Sequence, residues 1–306
     1  MATTFGPIQD FAAGGIAGWS GLCVGHPLDT LKVKLQVSEV DMLGNLIPST
    51  TKKMSEAFVI MNKEGMINGH FRGFLSPFVS YGLLNAVYFG VYGNVLTFLD
   101  EKANATSSLM SKFKPNYFNI YLAGCAGGLA QTIPGCPFEL TKVVLQSQVG
   151  NAPGLKYYKG PLEALFDIVR KNGLMGCYRG FLIHNIRDIP SCGVYSLSYE
   201  YFCYRWKNHY PKVSGDVLNF ISGGLTGVIS WLMILPIDVI KNRIQADCHK
   251  KLYRNSWHCT KATYREGGIP LFFKGWVAVS IRAFLVNSIT LMVYSYIKNN
   301  YRKKRH

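Results

Sequence analysis

The chain has 306 residues, of which 48% are hydrophobic and 16% are charged, with 33 basic against 17 acidic side chains. Soluble domains carry roughly 25% charged residues, so this composition disfavours a soluble globular protein. The net charge of +16 suits an anionic surface or solute, and the long apolar segments favour a membrane over a nucleic-acid partner.

Six segments are predicted to span a membrane, which requires about 20 predominantly apolar residues each. Four of them contain no charged residue apart from one histidine, at positions 11–28, 73–99, 117–138 and 217–237. Two more, at 181–206 and 276–298, are apolar and rich in aromatic residues apart from a few charges. The predicted fold class is therefore an all-α membrane protein.

Short surface helices are predicted between the paired spans. Apolar residues recur at helical spacing over 53–63 and 160–171, and more weakly over 255–265, as expected for helices lying at a membrane interface. Polar linkers near 101–114 and 207–215 divide the chain into units of 1–105, 106–210 and 211–306. Six crossings return the chain to its starting side, so both termini are expected on one side.

The three units share a motif, and such internal repetition defines an architecture. Each copy reads proline-x-acid-x-x-lysine and is followed by glutamine, and the copies begin at Pro27, Pro137 and Pro236. The acids and lysines are Asp29, Lys32, Glu139, Lys142, Asp238 and Lys241, and the glutamines are Gln36, Gln146 and Gln245. A proline inside a helix can kink it, which would bring the three helix ends together.

Further elements repeat around the motif. Upstream, glycines four residues apart allow close helix packing in lipid, at Gly14 and Gly18, Gly124 and Gly128, and Gly223 and Gly227. Downstream stand Glu64-Gly65, Asn172-Gly173 and Glu266-Gly267, followed by Phe71-Arg72-Gly73, Tyr178-Arg179-Gly180 and Phe273-Lys274-Gly275. Chance repetition of so many spaced elements is very improbable.

Together these motifs resemble the mitochondrial carrier family over essentially the whole chain, and the segment from Gly25 to Gln36 looks most like its carnitine/acylcarnitine and basic-amino-acid branch. Two departures lie in the middle unit, where Val144 replaces a basic residue and Asn172 replaces an acid. The resemblance implies three pseudo-symmetric repeats forming six helices around a central cavity, with short matrix-side helices and alternating access. It also implies a monomer in the mitochondrial inner membrane, with both termini facing the intermembrane space.

The resemblance implies two gates. The matrix gate would pair each acid with the lysine of the next repeat, namely Asp29 with Lys142, Glu139 with Lys241 and Asp238 with Lys32. Each glutamine stands one turn beyond a lysine and is expected to brace a pair. The cytoplasmic gate would keep a single pair, Glu200 with Lys298. The protein is therefore expected to favour the state open to the cytoplasm, although the matrix pairs could serve only to stabilise the fold.

Charged residues inside predicted spans are functional candidates by default. Seven and eight residues after the glycines of the aromatic-basic-glycine triplets stand Ser80-Tyr81, Arg187-Asp188 and Arg282-Ala283. Arginine can bind a carboxylate through two hydrogen bonds, and Asp188 can face an ammonium group, with cation–π contacts from Tyr81 and Tyr195. In the resembled family this pattern accompanies amino-acid-like and carnitine-like substrates. Arg187 and Asp188 could instead pair with each other, but adjacent helical residues point about 100° apart, which disfavours this.

Other residues carry weaker predictions. His26 and His184 are expected to pack or hydrogen-bond rather than bind a ligand, and Asn85 and Asn287 either line the cavity or join helices. The starts of the even-numbered spans can bind phosphate, and the resemblance suggests cardiolipin at Arg72, Gly73, Arg179, Gly180, Lys274 and Gly275. The eight cysteines form no zinc spacing and are expected to act as small hydrophobic residues.

The function expected from the sequence is transport of a zwitterionic or quaternary-ammonium metabolite. Two alternatives remain open: a proton or anion leak, and a scaffold that does not transport. No nucleophile elbow, phosphate loop or metal spacing is present in the sequence, so neither an enzyme nor a cofactor is expected.

Overall fold

The computed structural model describes residues 7–37, 39–40, 46–47, 53–106, 116–148, 158–209, 215–248 and 252–303. Six long helices make up most of this part of the chain, and each contains 28 to 32 residues. They are α1 (Pro7–Gln36), α3 (Leu75–Thr106), α4 (Tyr117–Ser147), α6 (Phe181–His209), α7 (Gly215–Ala246) and α9 (Trp276–Lys303). At about 1.5 Å per residue, each exceeds the roughly 30 Å hydrocarbon core of a bilayer.

Two of the described helices qualify as membrane spans by length and apolar composition alone, over Leu75–Lys102 and Ile221–Ala246. A third candidate joins Ser256–Phe272 to Trp276–Val286 across a bend of 52°. Charges lower the hydropathy of other long helices, as Arg187 and Asp188 do in α6. Arg187 is buried, and a charge is tolerated in a span when it faces the protein interior.

Three shorter helices connect the long ones where surface helices were predicted: α2 (Met54–Gly65), α5 (Pro161–Asn172) and α8 (Ser256–Phe272). Short turns of π-helix at Met66–His70 and of 3-10 helix at Leu174–Tyr178 follow the first two. Between α1 and α2, strand β1 (Glu39–Val40) pairs antiparallel with β2 (Leu46–Ile47), so that Glu39 faces Ile47.

Glycines in the left-handed conformation redirect the chain at equivalent places in each repeat. Gly65, Gly173 and Gly268 have φ of 85°, 69° and 65°, a region that glycine enters without steric cost. The sequence had suggested Gly267 for the third of these positions, and the structure assigns it to Gly268. Immediately before α3, α6 and α9, three more glycines have positive φ: Gly73, Gly180 and Gly275.

The glycines predicted to bring helices together have different neighbours in the three repeats. In α4, a methyl group added to Gly124 would lie 2.8 Å from the carbonyl oxygen of Cys192, which confirms the close packing of α4 on α6. In α1, Gly18 instead meets the ring of Tyr81, with which an added methyl group would overlap. In α7, Gly223 has no described atom within 4 Å of such a methyl group, whereas Gly227, one turn further on, is buried.

Two of the three repeats contain an ion pair between the odd-numbered span and the surface-helix segment. In the first repeat Lys34 Nζ lies 2.8 Å from Glu64 Oε2, and in the third Arg243 Nη1 lies 2.5 Å from Glu266 Oε2. Both basic side chains are almost fully buried. These pairs fasten the surface helix to the motif within one repeat.

The middle repeat has apolar packing and a hydrogen bond of Asn172 where the other repeats have this ion pair. Val144 packs in a buried cluster with Leu140, Tyr158 and Ile168, and the amide of Asn172 donates to the carbonyl of Cys248 at 3.1 Å. The two sequence departures, Val144 and Asn172, therefore stand at the positions whose counterparts in the first repeat, Lys34 and Glu64, form the ion pair. Losing both charges together avoids leaving one of them buried without a partner.

All eight cysteines are free thiols, and four of them are buried. Burial raises the pKa of Cys248 to about 11 and that of Cys259 to about 12, so both thiols stay protonated at neutral pH. Each belongs to a hydrophobic cluster, Cys248 with Val144 and Cys259 with Ile240. Their packing as small hydrophobic residues agrees with the sequence prediction.

Candidate functional site

A cavity of about 1150 Å³ lies between the six long helices. Its walls include five of the six residues predicted to bind substrate: Tyr81, Arg187, Asp188, Tyr195 and Arg282. The sixth, Ser80, does not line the cavity; it is buried, and its hydroxyl donates to the carbonyl of Pro77 at 3.4 Å. Ser80 has the same register position as Arg187 and Arg282, but its side chain is too short to reach the cavity from there.

The three ion pairs predicted between repeats are present at one end of this cavity. Lys142 Nζ lies 2.8 Å from Asp29 Oδ2, Lys32 Nζ lies 2.6 Å from Asp238 Oδ2, and Lys241 contacts Glu139. Each motif proline lies inside its helix, in α1, α4 or α7. We call these six charged residues the matrix gate, keeping the name used for the sequence prediction.

The cavity arginines extend this network. Arg282 Nε lies 2.5 Å from Asp29 Oδ1, on the other side of that carboxylate from Lys142. Arg187 Nη1 lies 2.7 Å from Asp238 Oδ1, and its Nη2 lies 3.6 Å from Glu139 Oε2. Every gate carboxylate therefore has one lysine and one arginine as partners, although the sequence assigned the arginines to substrate alone.

Arg187 and Asp188 also pair with each other, contrary to the expectation from helical geometry. Arg187 Nε lies 2.5 Å from Asp188 Oδ1. The length and flexibility of the arginine side chain allow its guanidinium group to reach Asp188 despite the angular separation of the two Cβ atoms. Asp188 Oδ2 lies 2.8 Å from Nε2 of His184, one turn earlier on α6. His184 thus makes a hydrogen bond, as predicted, and it also lines the cavity.

Trp231 on α7 is a cavity residue that the sequence reasoning missed. Lys32 Nζ lies 4.5 Å and the Arg282 guanidinium carbon 5.3 Å from the centroid of its ring system, within the range of cation–π attraction. The repeat offered a signal for it, since Trp231 and the cavity residue Thr132 both stand five residues before a motif proline.

The motif glutamines do not hydrogen-bond directly to the gate ion pairs. Gln36 donates to the carbonyl of Lys274 at 3.1 Å and accepts from Asn242 at 2.6 Å, while Gln146 donates to Thr30 at 3.1 Å. The amide of Gln245 has no hydrogen-bond partner among the described residues. Four residues advance a helix by about 6 Å, which places the glutamines beyond the pairs, against Gly275, Gly73 and Gly180.

The arginines of the first two aromatic-basic-glycine triplets, which were predicted to bind lipid, are instead buried inside the protein. Arg72 is buried and donates to the carbonyl of Tyr158 at 3.0 Å and to Gln148 at 2.5 Å. Arg179 is buried and donates to the carbonyl of Tyr253 at 2.7 Å, and it pairs with Asp247 at 2.9 Å.

These two guanidinium groups are therefore committed to the loops of the following repeat, because each loop carbonyl needs a donor once it is buried. Nζ of Lys274 is buried as well. A phosphate at the starts of α3, α6 and α9 would have to be bound through backbone N–H groups, as helix N-termini allow, rather than through Arg72 and Arg179.

The predicted cytoplasmic gate is described only in part. Glu200 is a partly exposed residue of α6, and Lys298 belongs to α9. The side chain of Lys298 lies outside the described residues, as does that of Asn287. Asn85, in contrast, lines the cavity.

Comparison with known proteins agrees with this architecture. The family model described as mitochondrial carrier protein matches residues 3–103, 113–210 and 214–305. Solute carrier family 25 member 45 of Mus musculus is 36% identical over 302 residues, which cover 97% of this chain and 100% of the relative. The mitochondrial basic amino acids transporter of Bos taurus is 36% identical over 287 residues, covering 92% and 88% of the two chains.

A third relative, solute carrier family 25 member 48 of Danio rerio, is 31% identical over 306 residues, covering 90% of this chain and 92% of the relative. These matches extend over nearly the whole length of each protein and support a multi-pass transporter of small metabolites in the mitochondrial inner membrane. The chain belongs to the mitochondrial carrier family.

Proposed function

We propose that this protein transports a zwitterionic amino-acid-like or quaternary-ammonium metabolite by alternating access. The carnitine, acylcarnitine, methylated amino acid and basic amino acid types all carry the required groups. The observation that carries the proposal is a carboxylate, Asp188, and a guanidinium, Arg282, lining one cavity. A zwitterion needs both signs of charge, and a relative named as a basic amino acids transporter supports this class.

The contacts of the two arginines suggest how substrate would act on the matrix gate. A substrate carboxylate binding Arg282 would compete with Asp29, which lies 2.5 Å away. A substrate ammonium binding Asp188 would compete with Arg187. Arg187 also contacts Asp238 and Glu139, so moving either arginine leaves the gate carboxylates that it contacts to their lysines alone.

In this proposal the gate faces the matrix, both termini face the intermembrane space, and the protein works as a monomer. The complete matrix gate and the single remaining pair of the opposite gate, Glu200 with Lys298, favour a resting state open to the cytoplasm. Cardiolipin would bind at the N-termini of α3, α6 and α9 through backbone N–H groups near Gly73, Gly180 and Gly275.

The test is uptake into liposomes containing the purified protein, with a screen of amino acids, methylated amines and carnitine esters. We expect uptake of at least one zwitterion or quaternary amine, and a loss of about tenfold or more on Asp188→Asn or Arg282→Ala, because each removes a charge-assisted hydrogen bond. Arg265→Ala, which removes an exposed arginine of α8, is the matched control and should transport normally.

Two outcomes would overturn the proposal. Full uptake by both Asp188→Asn and Arg282→Ala would exclude the proposed binding site. The absence of uptake of every probe would exclude the proposed substrate class. A proton or anion flux that persists in both variants would instead indicate the leak function.

A further inference from the structure

His184 is a buried polar residue without a role in the transport scheme above. Only 2% of its side chain is exposed, yet it borders the cavity beside the proposed ammonium site. Its Nε2 lies 2.8 Å from Asp188 Oδ2. A carboxylate can only accept hydrogen bonds, so Nε2 carries the hydrogen and His184 donates to Asp188.

The two oxygens of Asp188 are thereby held from two directions. Oδ1 accepts from Arg187 Nε at 2.5 Å, and Oδ2 accepts from His184 at 2.8 Å. Arginine forms its strongest contact with a carboxylate when it binds both oxygens at once. His184 occupies the second oxygen, which leaves Arg187 in contact with one oxygen only, and Asp188 still lines the cavity.

The other two repeats have neither member of this pair. The positions four and eight residues after the triplet glycine are His184 and Asp188 in the middle repeat, Pro77 and Tyr81 in the first, and Val279 and Ala283 in the third. The histidine therefore occurs in the one repeat that has an acid for it to hold. Gate opening, which uses all three repeats, does not require such a pair.

His26 shows what a buried histidine does when its role is structural. It is fully buried, and its Nε2 lies 3.0 Å from the carbonyl oxygen of Arg72. That bond joins α1 to the segment before α3 and involves no residue proposed to touch substrate. Both histidines are buried, and they differ in whether their shortest hydrogen bond is to a backbone carbonyl or to the Asp188 carboxylate.

We infer that His184 is a positioning residue for the substrate cation, which keeps Asp188 oriented into the cavity and limits Arg187 to one of its two oxygens. The inference rests on the proposed function, and it adds a residue that determines affinity for the ammonium end of the substrate. His184 itself contacts Asp188, while Asp188 contacts the ligand.

The experiment compares His184→Leu, which has no donor, with His184→Gln, whose amide can donate in place of Nε2. L-arginine and L-carnitine are the probes, and uptake into liposomes is measured as KM and kcat. We expect His184→Leu to raise KM about tenfold or more, the effect of losing a hydrogen bond to a charged group. His184→Gln should restore KM to within about threefold of the wild-type value, since it keeps that hydrogen bond.

His26→Leu is the matched control, and it should lower the thermal stability without changing KM. Where His184→Leu yields no folded protein, His184→Met replaces it as a variant of similar size without a donor. Wild-type uptake together with an unchanged KM in the folded variant without a donor would overturn this inference alone. Where wild-type protein takes up neither L-arginine nor L-carnitine, the substrate found in the uptake screen serves as the probe, and failure of every probe in that screen would overturn the proposed function and this inference with it.

Discussion

The closed end of the cavity and the wall above it are built in opposite ways. At the closed end the same ion pair occurs three times, each formed by an acid and a lysine at equivalent motif positions. On the wall, Arg187 and Asp188 of the middle repeat correspond to Ser80-Tyr81 and Arg282-Ala283 in the others. Threefold repetition suits a movement that involves every repeat equally, whereas a small asymmetric substrate needs different groups on different sides.

The two regions are nevertheless joined, because the wall arginines bind the gate carboxylates. The gate pairs therefore differ in burial and in the distance to their arginine, although they are equivalent in sequence. Asp238 has Lys32 and Arg187 as partners at 2.6 and 2.7 Å and is 1% exposed, whereas the Glu139 side chain is 30% exposed and its arginine lies 3.6 Å away. Substitutions that separate these pairs test whether symmetry of sequence extends to function.

The largest effect is expected from Asp238→Ala. This change leaves both Lys32 and Arg187 buried without their shared carboxylate, and removing one partner of a buried pair costs about 3–5 kcal/mol. We expect a marked fall in the unfolding temperature and loss of uptake. Thermal unfolding and liposome uptake measure the two effects.

Lys142→Ala is the comparison variant at the same gate. Asp29 keeps Arg282 at 2.5 Å after this change, so no buried charge is left alone. We expect reduced uptake with a much smaller loss of stability than in Asp238→Ala. Equal losses of stability in the two variants would show that the arginines contribute nothing to the gate, and unchanged uptake in Lys142→Ala would contradict the gate function itself.

An intermediate effect is expected in the middle repeat, where the ion pair of the other repeats is missing. Val144→Lys places a charge in the cluster of Leu140, Tyr158 and Ile168, and an unpaired buried charge destabilises by several kcal/mol. Adding Asn172→Glu should recover part of this loss, because Lys34 and Glu64 form such a pair at 2.8 Å in the first repeat.

Thermal unfolding of the single and double variants measures that coupling, which a double-mutant cycle isolates. Asn172→Glu alone is the control for loss of the hydrogen bond to the Cys248 carbonyl. Additive effects of the two substitutions would indicate that the middle repeat has lost the geometry for the pair as well as its charges.

The pairing within the matrix gate was expected from the family resemblance, and the repeat identified which residues occupy its positions. Asp29 and Lys142 meet since each follows a motif proline by a fixed number of residues, and backbone geometry determines most of that contact. Contacts that depend on long side-chain torsions could not be predicted this way. Arg187 reaches Asp188, Asp238 and Glu139 together, which its sequence position alone does not reveal.

Burial and side-chain length explain the other differences between the predicted and the observed contacts. Arg72 and Arg179 resemble surface phosphate ligands in the sequence, but each is buried where loop carbonyls need donors. Ser80 shares its motif position with Arg187 and Arg282, but its short side chain is satisfied by a carbonyl of its own helix. A register identifies equivalent positions, and the size of the side chain decides whether such a position reaches the cavity.

The smallest effect is expected from Trp231→Leu, which removes the aromatic surface between the two regions. Lys32 of the gate and Arg282 of the wall lie 4.5 and 5.3 Å from this ring, and a cation–π contact contributes about 0.5–2 kcal/mol. We expect a rise in KM for cationic substrates of several-fold, with kcat less affected, because the substitution keeps an apolar side chain against the cavity.

Trp257→Leu is the matched control for that measurement. Trp257 on α8 also faces a cation, with Lys261 Nζ 5.3 Å from its ring centroid, but it is 65% exposed and does not line the cavity. Its replacement should leave KM unchanged. An equal change in KM from both tryptophans would place the effect outside the cavity, whereas an effect confined to Trp231 would indicate that the gate lysine and the wall arginine share one surface with the substrate cation.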